Sequence, residues 1–210
     1  MSLMLYCADI GSVAKGNFGW ARLAVDDSGV SNIPSTGLDI HDFANNLVSD
    51  FTDGHRVALG FECPLFVPVP EMPEMLTSGR AGENNRPWSA GAGAASLATG
   101  LTETVWVLDR IRRSVGPDFE AHTQWQEFNK GGLFLWEAFV TAAAKAESHD
   151  GDAKLAVLEF HRKLPNPENH NAIRVVGRVR SLIGAAILQS GWSSDLAWLE
   201  KPCLVIKVNP

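Results

Sequence analysis

The stretch YCADIGSVAKGNFGWARLAV, residues 6–25, decides how the rest of the chain is read. Residues 3–10 and 19–25 are short apolar runs, and GSVAKGN between them supplies hairpin turn residues, so the pair reads as two adjacent strands. Asp9 stands at the end of the first run. A carboxylate at the tip of a core strand is costly unless something charged meets it. The identity of that partner is the functional question.

Outward from this hairpin, TGLDI at 36–40 reads as a third, shorter strand, and Asp42 to Phe51 places Phe43, Ala44, Leu47, Val48 and Phe51 at helical spacing. RVALGFE, residues 56–62, is the next strand, and the Glu-Cys-Pro that ends it stops the ladder at Pro64. From Pro64 to about Gly93 the chain turns to proline, glycine and polar residues, which marks a long surface insertion. Ala94 to Val115 reads as a helix with Leu97, Leu101, Val105, Leu108 and Ile111 on one face. GLFLWEAFV, 132–140, reads as a strand. Asp152 to Leu164 and Asn171 to Gln189 read as helices around the breaker PNPEN, and PCLVIKV, 202–208, closes the chain as a strand. A meander of three strands followed by alternating helices and strands predicts one α/β domain over 1–210, with a mixed sheet covered by helices and an insertion at 64–93.

That order brings acids together. Asp9 ends the first strand and Glu62 the fourth, and a helical crossover makes those two strands parallel neighbours. Two carboxylates at one sheet edge repel, and the repulsion is relieved by a shared proton or a hard cation. Glu137, an acid inside LFLWEAFV, is the third candidate for the same edge. Asp150 and Asp152 in SHDGDAK read as acids at a helix start, where capping explains them.

Composition narrows the function classes. The 210 residues are 45% apolar with a formal charge of -6, which argues against binding long nucleic acid by bulk attraction. No run is long enough to cross a membrane, and no secretory leader is visible at residue 1, so a soluble, cytoplasmic protein is expected. Cys7, Cys63 and Cys203 are far apart in apolar runs and read as reduced core residues. The six histidines form no HExxH pattern, and neither a GxSxG elbow nor a GxxxxGKS loop occurs. Of the tryptophans, Trp20, Trp106 and Trp136 read as core, and Trp88 as a lid or base-stacking residue.

The run ADIGSVAKGNFGWARLAV, the later FECPLF and the loop GRAGENNRPWSA together resemble the ribonuclease H-like superfamily, and within it an uncharacterised family of predicted nucleases. The resemblance implies a metal-dependent phosphodiesterase or nuclease, a hydrolase in which Asp9 and Glu62 hold one or two Mg2+ or Mn2+ ions and Glu137, or an acid behind it, completes the ligand set. Two such ions about 3.5–4 Å apart would activate water for in-line attack on a phosphodiester. Arg80 and Arg86 in the insertion, with Lys15 in the first turn, are then the cations that meet a nucleic acid or phosphate ester. Arg174, Arg178 and Arg180, on the helix read over 171–189, are a further set that could grip nucleic acid. The resemblance also implies an acid from a late helix packed on the first strand. The segment RVRSLIGAAIL, 178–188, offers Ser181 there, which a hard cation cannot use as it uses a carboxylate. A catalytically inactive binding module on the same fold is therefore one alternative. An ATP-dependent phosphotransferase of the actin and sugar-kinase type, suggested by DIGS at 9–12, is the other.

Overall fold

A computed structural model describes residues 2–26, 28–83, 87–128 and 131–209. The opening stretch forms β1 (Leu3–Asp9) and β2 (Gly19–Val25), followed by β3 (Ser35–Gly37), α1 (Ile40–Thr52) and β4 (Arg56–Glu62). The insertion contributes a short strand, β5 (Phe66–Pro68), and leads into the long α2 (Gly91–Val115). The second half comprises β6 (Ala121–His122), α3 (Trp125–Phe128), β7 (Leu133–Val140), α4 (His149–Arg162), β8 (Val179–Ser181), α5 (Leu182–Gln189) and β9 (Leu204–Val208). The chain is thus α/β, with a mixed seven-stranded sheet ordered β3-β2-β1-β4-β7-β6, and β9 also pairing with β7. β1 runs antiparallel to β2 and parallel to β4. Among the described residues no helix is long and apolar enough to cross a membrane.

Strand alternation sorts the core into two layers, because successive side chains in a strand point to opposite faces. Leu3, Leu5 and Cys7 of β1 join Ala58 of β4 and Trp136 of β7 against α4, with Phe128 of α3 in the same layer. Met4, Tyr6 and Ala8 join Leu59, Phe61 and Leu135 on the opposite face, with Phe43 of α1, Leu108 of α2 and Ile187 of α5. Residue parity in the central strands therefore says which helix layer a side chain meets. All three cysteines are free and buried.

Gly19 sets how closely α4 approaches the sheet. It is the register partner of Asp9. A Cβ on Gly19 would lie 2.3 Å from Asp150 N and 2.4 Å from His149 C, inside the first turn of α4. Only a residue without a side chain lets that turn rest directly over the end of β1. Gly19→Ala is expected to push α4 off the sheet and cost about 1–3 kcal/mol, the usual range for overpacking, as measured by urea denaturation. An unchanged midpoint would show that α4 has room to spare.

Three expectations are corrected. The helix expected over 171–189 is confined to Leu182–Gln189, and Val179–Ser181 is a strand paired with Phe66–Pro68. Upstream, Asn171 Oδ1 accepts from the backbone of Ile173 and Val205, Arg174 N donates to Ala81 O, and Gly177 takes φ 75°, so the backbone is committed elsewhere. The arginines at 174, 178 and 180 consequently lie on extended chain. Trp106 is exposed, edge-on to His41, whereas Trp20 and Trp136 are core. The buried stripe of α2 includes Glu103 and Thr104 and leaves Leu101 exposed.

Candidate metal centre

The register of β1 and β4 pairs Asp9 directly with Glu62. Register partners in adjacent strands share a face, so the two carboxylates stand side by side on the α4 face. The first turn of α4 adds a third. Ligand atoms of Asp9, Glu62 and Asp152 all lie within 4.8 Å of one another. Ser148 caps α4 by accepting from Gly151 N, leaving Asp152 free to turn inward, where it is 3% exposed. Its Oδ1 accepts from Ala146 N at 2.6 Å.

Two cationic groups border the trio. Lys145 Nζ lies 3.1 Å from Asp152 Oδ2 and 3.6 Å from Glu62 Oε1, and His149 Nδ1 lies 2.5 Å from Asp9 Oδ2. Glu62 Oε2 is buried and, among the described residues, meets no hydrogen-bond geometry with a partner, though Asp9 stands beside it. Burial pushes the Glu62 carboxyl up to about 9, and the Asp9 charge beside it pushes the same way. Burial raises Asp9 as well, against the pull of its His149 contact and of Lys145. Above these groups opens a cleft of about 550 Å3, whose opposite wall is the end of the insertion and the start of α2, including Trp88, Gly91 and Thr99.

The raised Glu62 carboxyl gives a pH dependence. The folded chain holds a proton that the unfolded chain releases near 4.5, so the stability this contributes is complete below 4.5 and is lost as pH rises toward about 9. The melting temperature of the metal-free protein is expected to fall across that window, and Glu62→Gln to flatten the fall. A divalent cation selects the charged carboxylate and should reverse the trend. A metal-free profile unchanged by Glu62→Gln would remove Glu62 as its source.

Glu137 does not join the trio. It pairs in register with Phe61, so alternation sends it to the face opposite Glu62. There Arg80 takes both its oxygens, Nη2 to Oε1 at 2.5 Å and Nη1 to Oε2 at 2.7 Å, and Leu65 N donates to Oε2. The same guanidinium bonds Glu83 through Nε at 2.7 Å and reaches Phe66 O through Nη1. Arg80 is therefore a buried tie between the insertion and β7, with its donors spent on protein acceptors, and not an open phosphate contact. Lys15 is exposed on the turn between β1 and β2 and does not itself line the cleft, although Ser12, whose carbonyl accepts from the Lys15 backbone N–H, and Asn17 do. Arg86 lies outside the described residues. Ser181 caps α5 by accepting from Gly184 N and plays no part in the trio.

Sequence reasoning missed Asp152 and Glu103. Asp152 looked like a capping acid because it follows a helix start by a few residues; the signal available was that Ser148 already offered a cap. Glu103 is buried in α2 with Oε2 unpartnered, and burial raises its carboxyl to about 7, opposed by the Gly11 N–H and assisted by the Asp9 charge. The chain matches no family model, no curated protein and no solved structure. The chemistry is read from this geometry.

Proposed function

We propose that the chain is a divalent-metal-dependent phosphodiesterase or nuclease of ribonuclease H-like architecture. One observation carries the reading: Asp9, Glu62 and Asp152 converge within 4.8 Å beside an open cleft. The residues fit a hard cation. Every ligand atom is a carboxylate oxygen, the donor type that suits Mg2+ and Mn2+, and the buried, unpartnered Glu62 Oε2 lacks a group that a cation would supply. The sheet order supports the proposed architecture, with a meander continued by parallel strands. The late-helix acid that the resemblance implies has a counterpart in Asp152, since α4 is the helix that packs on β1 and β2.

Asp9, Glu62 and Asp152 would hold the metal, which would lower the pKa of a bound water and stabilise charge on a phosphoryl oxygen. Lys145 would hold Glu62 and Asp152 apart as charges by sitting against both, and its exposed ammonium can also meet a phosphate oxygen. His149 would orient Asp9 and carry a proton at the cleft wall.

A second reading has one observation in its favour. The Lys145 ammonium already faces two of the three acids, which suits an inactive binding module that needs no metal. Thermal melting with Mn2+ or Mg2+, paired with cleavage assays on single- and double-stranded DNA, RNA and a bis-aryl phosphate diester, separates the readings. At a concentration one hundred times Kd, binding to the folded state alone adds about 2.7 kcal/mol, which raises the melting temperature by several degrees in a chain of this size. A shift with cleavage supports the nuclease. No shift supports the module, and a shift that needs ATP together with metal supports a phosphotransferase.

A further inference from the structure

A second surface lies behind Arg80, away from the metal centre. Six large apolar side chains, Val69, Met72, Met75, Leu76, Val175 and Val176, each leave more than a third of their surface in solvent. Met75, Val175 and Val176 line one groove of about 220 Å3, floored by the buried Phe66, Ile173 and Val179, and Val69, Met72 and Leu76 lie on the first of the two chain segments that form its lips. The lips are held at a fixed spacing. Val69 N donates to Arg178 O at 2.9 Å, and Arg174 N to Ala81 O at 3.0 Å. Exposed apolar residues gathered in this way mark a contact surface, whereas the same residues scattered singly would mean nothing.

The charge pattern says what covers the groove. One lip reads VPEMPEMLTSG, residues 69–79, with two glutamates and no lysine or arginine; the other reads RVVGRVR, residues 174–180, with three arginines and no acid. Glu71, Glu74 and these arginines are all exposed, and among the described residues only Arg178 has an ion-pair partner, Glu200 at 3.5 Å. Nucleic acid or an anionic membrane would be repelled by the first lip, and a uniformly basic partner by the second. A second copy of the chain meets both demands: a two-fold axis across the groove sets the acidic lip of each protomer against the basic lip of the other.

We propose that this groove is the self-association surface of the protein, with Met72, Met75 and Leu76 of each copy packing between the lips of its partner. Such packing is apolar at the centre and charged at the rim, as protein interfaces are. The inference does not rest on the metal-site reading. Among residues lining the two cavities, Arg80 alone is common to both, so the pairing leaves the metal cleft open.

Sedimentation velocity on the full chain tests it. A dimer is expected at concentrations below about 100 μM, and Val176→Asp should weaken it at least tenfold. Two charge reversals sharpen the test. Glu71→Arg with Glu74→Arg makes both lips basic, and Arg174→Glu with Arg178→Glu makes both acidic; each variant alone should be monomeric, and an equal mixture should form a heterodimer. All these positions are exposed, so melting temperatures should stay near wild type, and Val176→Asp serves alone if a double variant fails to fold. A wild-type chain that stays monomeric at about 100 μM, a dimer indifferent to Val176→Asp, or a mixture that does not associate would overturn the proposal.

Discussion

Replacing Arg80 with Met is expected to lower the melting temperature by about 10 °C or more. The guanidinium is the shared cationic partner of two carboxylates, Glu83 and Glu137, that are each only 2% exposed at the side chain. Removing one partner of a buried ion pair leaves an uncompensated charge and typically costs about 3–5 kcal/mol; here two charges are stranded at once. For a chain of 150–250 residues each kcal/mol is worth roughly 2–4 °C. The methionine keeps the volume and the packing on Phe66, whose ring centroid lies 4.8 Å from Cζ, so the loss reports charge. Arg80→Lys should recover little of it, because one ammonium cannot reproduce the paired bonds to Glu137 together with the Nε bond to Glu83. A fall of only a degree or two would mean that water reaches the carboxylates and that the tie is dispensable.

If the proposed metal centre is right, Asp152→Asn is expected to abolish the metal-induced melting shift and to lower metal-stimulated cleavage about a thousandfold, equivalent to about 4 kcal/mol of transition-state stabilisation. The amide retains an oxygen for the Ala146 N–H and relieves repulsion within the trio, which offsets the loss of the half-exposed Lys145 ion pair at Oδ2. The metal-free variant should therefore melt close to wild type. That separation of effects distinguishes a ligand from a structural acid. Full metal response in Asp152→Asn would remove α4 from the centre.

The two predictions concern residues that sequence reasoning handled badly, and the reasons are physical. Asp9 and Glu62 were legible because each ends a dense apolar strand and the helix between β3 and β4 dictates a parallel neighbour. Position along β7 taken alone sends Glu137 to the same edge. Its parity with Leu133 and Leu135, opposite to Trp136, places it on the other face. Arg80 was unreadable in a segment without periodicity, where nothing local says that a guanidinium will be buried. The segment before Ser181 spaces Val175, Val179, Leu182 and Ile183 like a helix, but Gly177 in the left-handed region and side-chain bonds from Asn171 hold it extended. Asp152 was hidden by its distance in sequence from β1, a contact that only the packing of α4 creates. The α/β class and the mixed sheet were legible from the order of short apolar runs and helically spaced segments, although 171–181 carries a helical spacing on extended chain.

Because Gly19 seats the first turn of α4 on the end of β1, the three carboxylates are joined by that packing and by the Lys145 and His149 contacts, across a gap their own charges tend to open. A bound cation would act as a rivet through β1, β4 and α4. Backbone amides at 150–152 should then exchange with deuterium faster in the metal-free protein than with Mn2+ present, while those at the centre of β4 keep one rate in both states. The element that completes the site would thus also be the one that breathes.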